Sequence, residues 1–291
     1  MKKKPGNESK DVLETLIQLS KEFPWLLSRS EQFIELYTNF CTNNAEKNLI
    51  VELIRRFYYL EDSEFSNSIK YLVEDIVTTP GLVDSETMIV SMTADEGSDS
   101  GQFVLYFMKP FFEMYGWRKH ITVNTFGKTY RTYKTYKDKR PIKNIVIIDE
   151  FIGSGKTAFD RYKSIKINFD NNNIPMKFYI KTVASTNKGL NFLIKNELNV
   201  AAQIVLPKGI TDFDSEKVRR ANLKRMYKLE EYLSKSYEDR PLPRMGYAQC
   251  EALYSRENGN TPNNVFPIFW WPFISSGKNR RTLFIRAMGD A

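Results

Sequence analysis

The sequence is poor in the residues that many site chemistries need. In 291 residues it has one histidine, His120, and two cysteines, Cys41 and Cys250. A single imidazole excludes a His-rich metal site and most His-based triads. Two distant cysteines are too few for a disulfide framework or a zinc site, and they fit a reducing cytoplasm. No apolar run approaches the roughly 20 residues that span a bilayer, so no membrane partner is expected. The basic start, MKKKPGNESKD, leads into no apolar segment. It reads as a disordered tail and not as a secretory signal. There is no internal repeat.

What is present is ordinary for a globular chain: 42% hydrophobic and 27% charged residues. Lys and Arg exceed Asp and Glu by 43 to 35, a net charge of +8. Such an excess fits a polyanionic partner, nucleic acid included, or a lysine-rich solvated surface.

Periodicity sorts the chain. SKDVLETLIQLSKEF, SRSEQFIELYTNFC, AEKNLIVELIRRFYYL and SNSIKYLVEDIV carry helical spacing, and TTPG at 78–81 ends the run. After it, short β-branched runs alternate with helical patterns. Strands are expected at TMIVSMTA (87–94), HITVNTFG (120–127), KNIVIIDE, MKFYIKTVAS (176–185) and AAQIVLPKG. This alternation predicts a parallel sheet flanked by helices, an α/β fold. Residues 212–240 are charged and helical in pattern, and the last fifty are irregular and aromatic. The expected organisation is a basic tail over 1–10, a helical cap over 11–82, an α/β core over 83–210, and a C-terminal helix with an aromatic extension packing on the core over 211–291.

The most informative stretch is KNIVIIDEFIGSGKTAFDRY, residues 143–162. GSGKT suggests a P-loop, yet a Walker A loop needs glycine five residues before Gly155, where this chain has Glu150. A carboxylate there would face the phosphates. No later strand ends in an acid that could serve as a Walker B partner. A different arrangement fits every element: an apolar strand, the acids Asp149 and Glu150, two apolar residues, then Gly153, Ser154, Gly155, Lys156 and Thr157 leading into a helix. Backbone N–H groups, the Ser154 and Thr157 hydroxyls and a helix N-terminus make an anion cradle. Two carboxylates can accept hydrogen bonds from a sugar diol.

This stretch resembles the phosphoribosyl-diphosphate (PRPP) signature of type I phosphoribosyltransferases. The resemblance implies a phosphoribosyltransferase-like sheet, with Gly153–Thr157 on the 5-phosphate and Asp149 and Glu150 on the ribose hydroxyls. It implies Mg²⁺ brought by the ligand and met by those two acids, with no direct protein metal site. Lys156 resembles the hypoxanthine-guanine branch, but that branch carries aspartate where Gly153 stands, which puts purine salvage in doubt. A second anion loop is implied after the first core strand, at Ser98, Asp99, Ser100 and Gly101. That loop also carries Asp95 and Glu96, so pyrophosphate there would need Mg²⁺.

Members also often have a mobile loop before the signature strand. Here GKTYRTYKTYKDKRPIK (127–143) is basic and tyrosine-rich. Three uses stay open for this flexible basic loop and its Lys128, Arg131 and Lys134: closure over a leaving pyrophosphate, single-stranded nucleic acid held by cations and rings, or a solvated hairpin. Near the end, TPNNVFPIFWWPFISSGKNRRTLFIR resembles a branch found in bacterial conflict and antiphage loci, sometimes beside retron-type reverse transcriptases. Its Trp270, Trp271, Phe269 and Phe273 read as core or interface. Arg280, Arg281 and Arg286 read as an anion site or as surface charge.

The expected function is chemistry on PRPP or a nucleotide at the ribose anomeric carbon, as a cytoplasmic antiphage effector. Its partners would be the ligand and a nucleic acid, a reverse transcriptase or a defence complex, with a homo-oligomer also open. The alternatives are a non-catalytic PRPP or nucleotide sensor that regulates a nucleic-acid-binding partner and, less favoured, a P-loop NTPase.

Overall fold

The computed structural model describes residues 5–94 and 100–290. Its elements in chain order are α1 (Pro5–Glu22), α2 (Ser30–Glu35), α3 (Asn44–Arg55) and β1 (Tyr58–Leu60). Then come α4 (Asp62–Thr78), β2 (Thr87–Ser91), α5 (Ser100–Met114), β3 (Ile121–Val123), α6 (Thr129–Tyr136) and β4 (Asn144–Ile152). These are followed by α7 (Lys156–Asp170), β5 (Lys177–Thr186), α8 (Asn187–Lys195) and β6 (Asn199–Leu206). The chain closes with α9 (Glu216–Glu230), β7 (Ser236–Tyr237), β8 (Arg240–Pro241) and β9 (Tyr254–Arg256).

Two compact units result. One runs Glu61–Leu206, and the other joins the described residues up to Leu60 to those from Pro207 onward. The first unit holds a five-stranded parallel sheet in the order β3-β2-β4-β5-β6. Ile145, Val146, Ile147 and Ile148 of β4 are fully buried. Burial on both faces is why these strands read as continuous apolar runs instead of alternating ones. One face is filled by Ile145, Ile147, Val90 and Ile180 packed against Ile165 and Phe169 of α7 and Leu193 of α8. Helices α4 and α5 cover the other face. There Lys181 of β5, 4% exposed, donates to Asp75 of α4 at 2.6 Å and to Thr79 at 2.9 Å.

The chain leaves β2 for β3 on one side, then crosses back to place β4 on the other side of β2. The connections after β2 and β4 therefore diverge. In an open parallel sheet this switch point is where a ligand crevice forms.

The second unit is built from the two ends of the chain. Strand β1 pairs in parallel with β9, Tyr58 opposite Tyr254. Phe57 stacks on Phe284 at 4.4 Å and meets Phe269 at 5.7 Å, while Trp25 reaches Phe284 at 5.5 Å. Trp270, Trp271 and Phe269 are buried, as their ring size suggests. The Trp270 and Trp271 indoles donate to the Val265 carbonyl and the Ser234 hydroxyl, both at 2.9 Å. Phe273 stacks on Tyr237 at 4.5 Å. Arg280 is buried, donates to the carbonyls of Trp271, Pro267 and Ile268, and lies over Phe40. Burial pushes its guanidinium down to about 9. Arg281 pairs with Glu31, and Arg286 donates to the Thr261 carbonyl. Each of the three arginines thus has a partner within its own unit, and Arg280 is a structural nail instead of an open anion site.

The division differs from the one expected. The break falls at Leu60 and not near 82, because α4 buries Ile69, Leu72, Val73 and Ile76 in the sheet unit. The segment after 211 shares its core with the helices before residue 60. The pattern AEKNLIVELIRRFYYL also ends in strand β1 and not in helix, since the backbone of Tyr58 finds Leu253.

Candidate functional site

Strand β4 stays paired to its last residue, with Phe151 opposite Ala184 and Ile152 opposite Ser185. Only Gly153, Ser154 and Gly155 then separate it from α7. A Walker A curl would need residues 150–152 free of the sheet, so the ATP-loop geometry is not formed here. Gly155 is left-handed, φ 81°. A Cβ there would lie 2.8 Å from the Gly189 carbonyl, so dihedral and packing both require glycine. The reverse contact is tighter: a Cβ on Gly189 would lie 2.2 Å from the Gly153 carbonyl. The Thr186 hydroxyl donates to that same carbonyl at 2.6 Å and accepts from Gly189 N at 3.0 Å. The first turn of α8 thus braces the loop from beneath. The first α7 bond is Phe159 N to Gly155 O at 3.0 Å. The N–H groups of Lys156, Thr157 and Ala158 therefore have no partner within the helix, and the positive end of its dipole lies there. Ser154 is half-buried; Lys156 and Thr157 are exposed.

Asp149 is half-buried and Glu150 is 4% exposed. Alternation along a strand sends neighbouring side chains to opposite faces. On a regular strand the two acids would thus point to opposite faces of β4. The Asp149 carboxylate accepts from Glu150 N at 2.8 Å and from the Ser100 hydroxyl at 3.4 Å. The Thr182 hydroxyl donates to the Asp149 carbonyl at 3.0 Å.

Ser100 opens α5, on the far side of the switch point. Beside it, a Cβ on Gly101 would lie 2.7 Å from the Ser91 hydroxyl, so glycine lets α5 start hard against the end of β2. Ser98 and Asp99, also expected in this loop with Asp95 and Glu96, lie outside the described residues. Arg161 of α7 donates to the Met92 carbonyl, and Phe126 N donates to the Thr93 carbonyl at 3.0 Å. One guanidinium thereby ties the helix after the glycine loop to the end of β2. Sequence reasoning missed Arg161, Thr186 and Gly189. The available signals were faint: a lone arginine in the second turn of α7, and a Thr-x-x-Gly start to α8.

The sequence model of the PRTase-CE family matches residues 34–286, most of the chain and most of both units. The chain belongs to the PRTase-CE family. This is a phosphoribosyltransferase-like family. No curated protein matches the sequence at a significant level. Similar solved structures include the xanthine-guanine-hypoxanthine phosphoribosyltransferase of Helicobacter pylori, 13% identical with a TM-score of 0.30 over 52% of this chain and 86% of that one. The orotate phosphoribosyltransferase of Aeropyrum pernix is 15% identical, TM-score 0.31, over 50% and 72%. The hypoxanthine-guanine phosphoribosyltransferase of Schistosoma mansoni, solved with IMP, is 12% identical, TM-score 0.33, over 51% and 65%. Likenesses this loose carry no argument about substrate.

In this PRTase-CE chain the stretch read as a flexible basic loop, 127–143, holds helix α6 over Thr129–Tyr136. Tyr130, Tyr133 and Tyr136 recur every third residue and turn into the sheet core. Tyr130 and Tyr133 meet Phe169 edge-on at 5.2 and 5.1 Å. Ring burial overrides the loop-like composition, and it removes these tyrosines as a stacking platform for bases. Lys128, Arg131 and Lys134 are exposed.

Of the rare residues of the PRTase-CE chain, His120 belongs to the sheet unit and the two cysteines to the other unit. His120 precedes β3, at the N-terminal end of a strand in a sheet whose candidate site is at the C-terminal ends. It packs against Phe112, with the Asp84 carboxylate at 3.5 Å. Burial lowers its pKa, and Asp84 only partly offsets that. Cys41 is buried and its thiol is pushed up to about 12, by burial first and Glu46 second, which leaves no thiolate near neutrality. Cys250 is also buried. Among the described residues no three Asp, Glu, His or Cys side chains cluster as a metal site, and no helix is long and apolar enough to cross a membrane.

Proposed function

We propose that the chain binds PRPP or a nucleotide at the C-terminal ends of β2 and β4 and acts at the ribose anomeric carbon. The observation that carries this is the three-residue glycine loop. It is fixed by Thr186 and Gly189 and opens onto the N–H groups of the first turn of α7, of which Lys156 N donates weakly to the Ser154 hydroxyl at 3.5 Å, with Asp149 at the same strand end. A 5-phosphate would lie on Gly153–Thr157, whose charge and donors suit a dianion. Asp149 would accept from a ribose hydroxyl, and Glu150 would reach the ligand only from the other face of β4. Pyrophosphate would lie against the start of α5, at Ser100 and Gly101, with Ser98 and Asp99 before them. Displacement at the anomeric carbon passes through positive charge, so positioning and anion stabilisation matter more than a nucleophile. That requirement suits a site without histidine or thiolate.

Asp149 would be the acid that meets Mg²⁺ carried by a diphosphate, with Glu150 beside it in the chain. The ligand's own oxygens would supply much of the coordination. Bound there, the ion would neutralise charge on leaving pyrophosphate. In the conflict-locus branch, consumption of such a ligand would deplete a cellular pool, alongside a reverse transcriptase or another defence partner. Gly153 favours a second reading, a sensor that binds without turnover, because no side chain stands there to move a proton.

Calorimetry and mass spectrometry with PRPP, ATP, NAD and common nucleotides plus Mg²⁺ test this on wild type and Asp149→Asn/Glu150→Gln. Consumption of PRPP or a nucleotide, lost in the double variant, is the expected outcome. Tight binding without consumption selects the sensor. Unchanged affinity in a folded double variant overturns the site.

A further inference from the structure

Charge in the sheet unit is sorted by face. Helices α4 and α5, on one face, carry two cations, Lys70 and Lys109, against five acids. On the opposite face, residues 128–140 with α7 and α8 carry twelve cations against three acids, Asp138, Asp160 and Asp170. That face therefore carries a net +9 within a sheet unit whose Lys and Arg exceed its Asp and Glu by only 19 to 17, so inside this unit the cations are gathered on one face.

The cations are also available. Lys128, Arg131, Lys134, Lys137 and Lys139 are exposed. Among the described residues, Arg131, Lys134, Lys137 and Lys139 form no ion pair. Of the three acids on this face only Asp170 is engaged, by Lys166 of its own helix. Residues three apart on a helix are surface neighbours, so Lys128, Arg131 and Lys134 make a continuous ribbon. The tyrosines between them face the core, which makes the ribbon the outer surface by necessity.

From this juxtaposition we infer that the α6–α8 face binds the phosphate backbone of nucleic acid, independently of the nucleotide site. Cations spread along one helix and across two more match a polymer of phosphates better than one phosphate group. A membrane is a poorer fit, because interfacial helices pair cations with an apolar face that enters the lipid. Among the described residues, the exposed large apolar side chains of these helices are Ile167 and Ile194, on α7 and α8, with none on α6. With the rings of these helices partly buried against the sheet, contact is expected mainly to phosphates. Binding is therefore sequence-tolerant and strongly salt-dependent.

The test is fluorescence anisotropy of the full chain with labelled mixed-sequence RNA, single-stranded DNA and duplex DNA across a KCl series. Phosphatidylserine vesicles are run in parallel. Arg131→Glu/Lys134→Glu/Lys137→Glu is expected to weaken binding by about tenfold or more and to lower the duplex salt slope by about two to three, near one per lost phosphate contact. The milder Gln triple, which keeps helix propensity, shifts both readouts in the same direction. Reversing three exposed lysines that belong to none of α6–α8, Lys21, Lys217 and Lys224, should change affinity by no more than about threefold if the contact is made by α6–α8. Equal loss in that control, salt-insensitive binding, or capture by vesicles but not oligonucleotides each overturns the proposal.

Discussion

The two units bury different chemistry. The sheet unit is centred on branched aliphatics: Val90, Val146, Ile147, Ile148 and their neighbours. The unit made from the chain ends is centred on rings. Of the twelve largest fully buried side chains it holds nine, including Trp270, Trp271, Phe266, Phe269 and Phe284, while the sheet unit holds Phe65, Phe112 and Phe169. Branched aliphatics in a strand–helix–strand order specify a parallel sheet almost residue by residue. Rings on irregular backbone specify burial without saying against what. The first unit is locally determined, and the second depends on partners brought together over long loops.

Removing one ring should break the second unit most. Trp270→Ala is expected to cost about 3–5 kcal/mol, the range for large aromatic truncation in a core, measured by urea unfolding. A loss below about 1 kcal/mol would mean the rings are loosely packed. In the sheet unit the corresponding weak point is a contact and not a volume. Gly189→Ala forces a Cβ onto the Gly153 carbonyl and should cost about 1–3 kcal/mol. It should also weaken PRPP or nucleotide binding by about tenfold, read by calorimetry. Gly127→Ala, where a Cβ meets nothing within 4 Å, should be neutral within about 0.5 kcal/mol in the same assays. Similar losses in both variants would refute the brace.

The ring-rich unit also carries a pH signature. Glu230 is fully buried and accepts from Met245 N with both oxygens, at 3.1 Å each. Burial nevertheless raises its pKa from 4.5 to about 8. The folded chain then holds a proton that the unfolded chain releases. This group's contribution is full below pH 4.5 and is lost as pH rises towards about 8. Wild type should lose stability relative to Glu230→Gln across that window, by melting temperature. Parallel curves would show that the carboxylate stays ionised. A small effect is expected at Arg161. Arg161→Lys keeps the charge but loses the guanidinium fork to Met92, and should weaken ligand binding about threefold to tenfold with little change in melting temperature.

Legibility in the sequence followed the same contrast. The β4 run, its acids and the short glycine loop could be read because each signal is local: four β-branched residues, then glycines where the backbone must turn. Helix α6 was obscured because cations dominate its composition, although tyrosines at every third position mark a buried stripe. Gly189 and Arg161 act on residues 36 and 69 positions away, Gly153 and Met92, and no local pattern marks such contacts. Strand β1 was hidden for the same reason. YYL continues a helical pattern well, and only its pairing with Tyr254–Arg256 makes it a strand.

That pairing has a consequence during synthesis. Tyr58 leaves the ribosome 196 residues before its partner Tyr254. At about 5–20 residues per second, the early helices wait roughly 10–40 s with their apolar faces uncovered, while the whole sheet unit emerges and can fold. The parallel β1–β9 pair therefore closes late, and the contacts of Phe57 with Phe269 and Phe284 follow it. A nascent chain stalled before residue 254 would present the surfaces of α1–α3 to any chaperone at the exit tunnel.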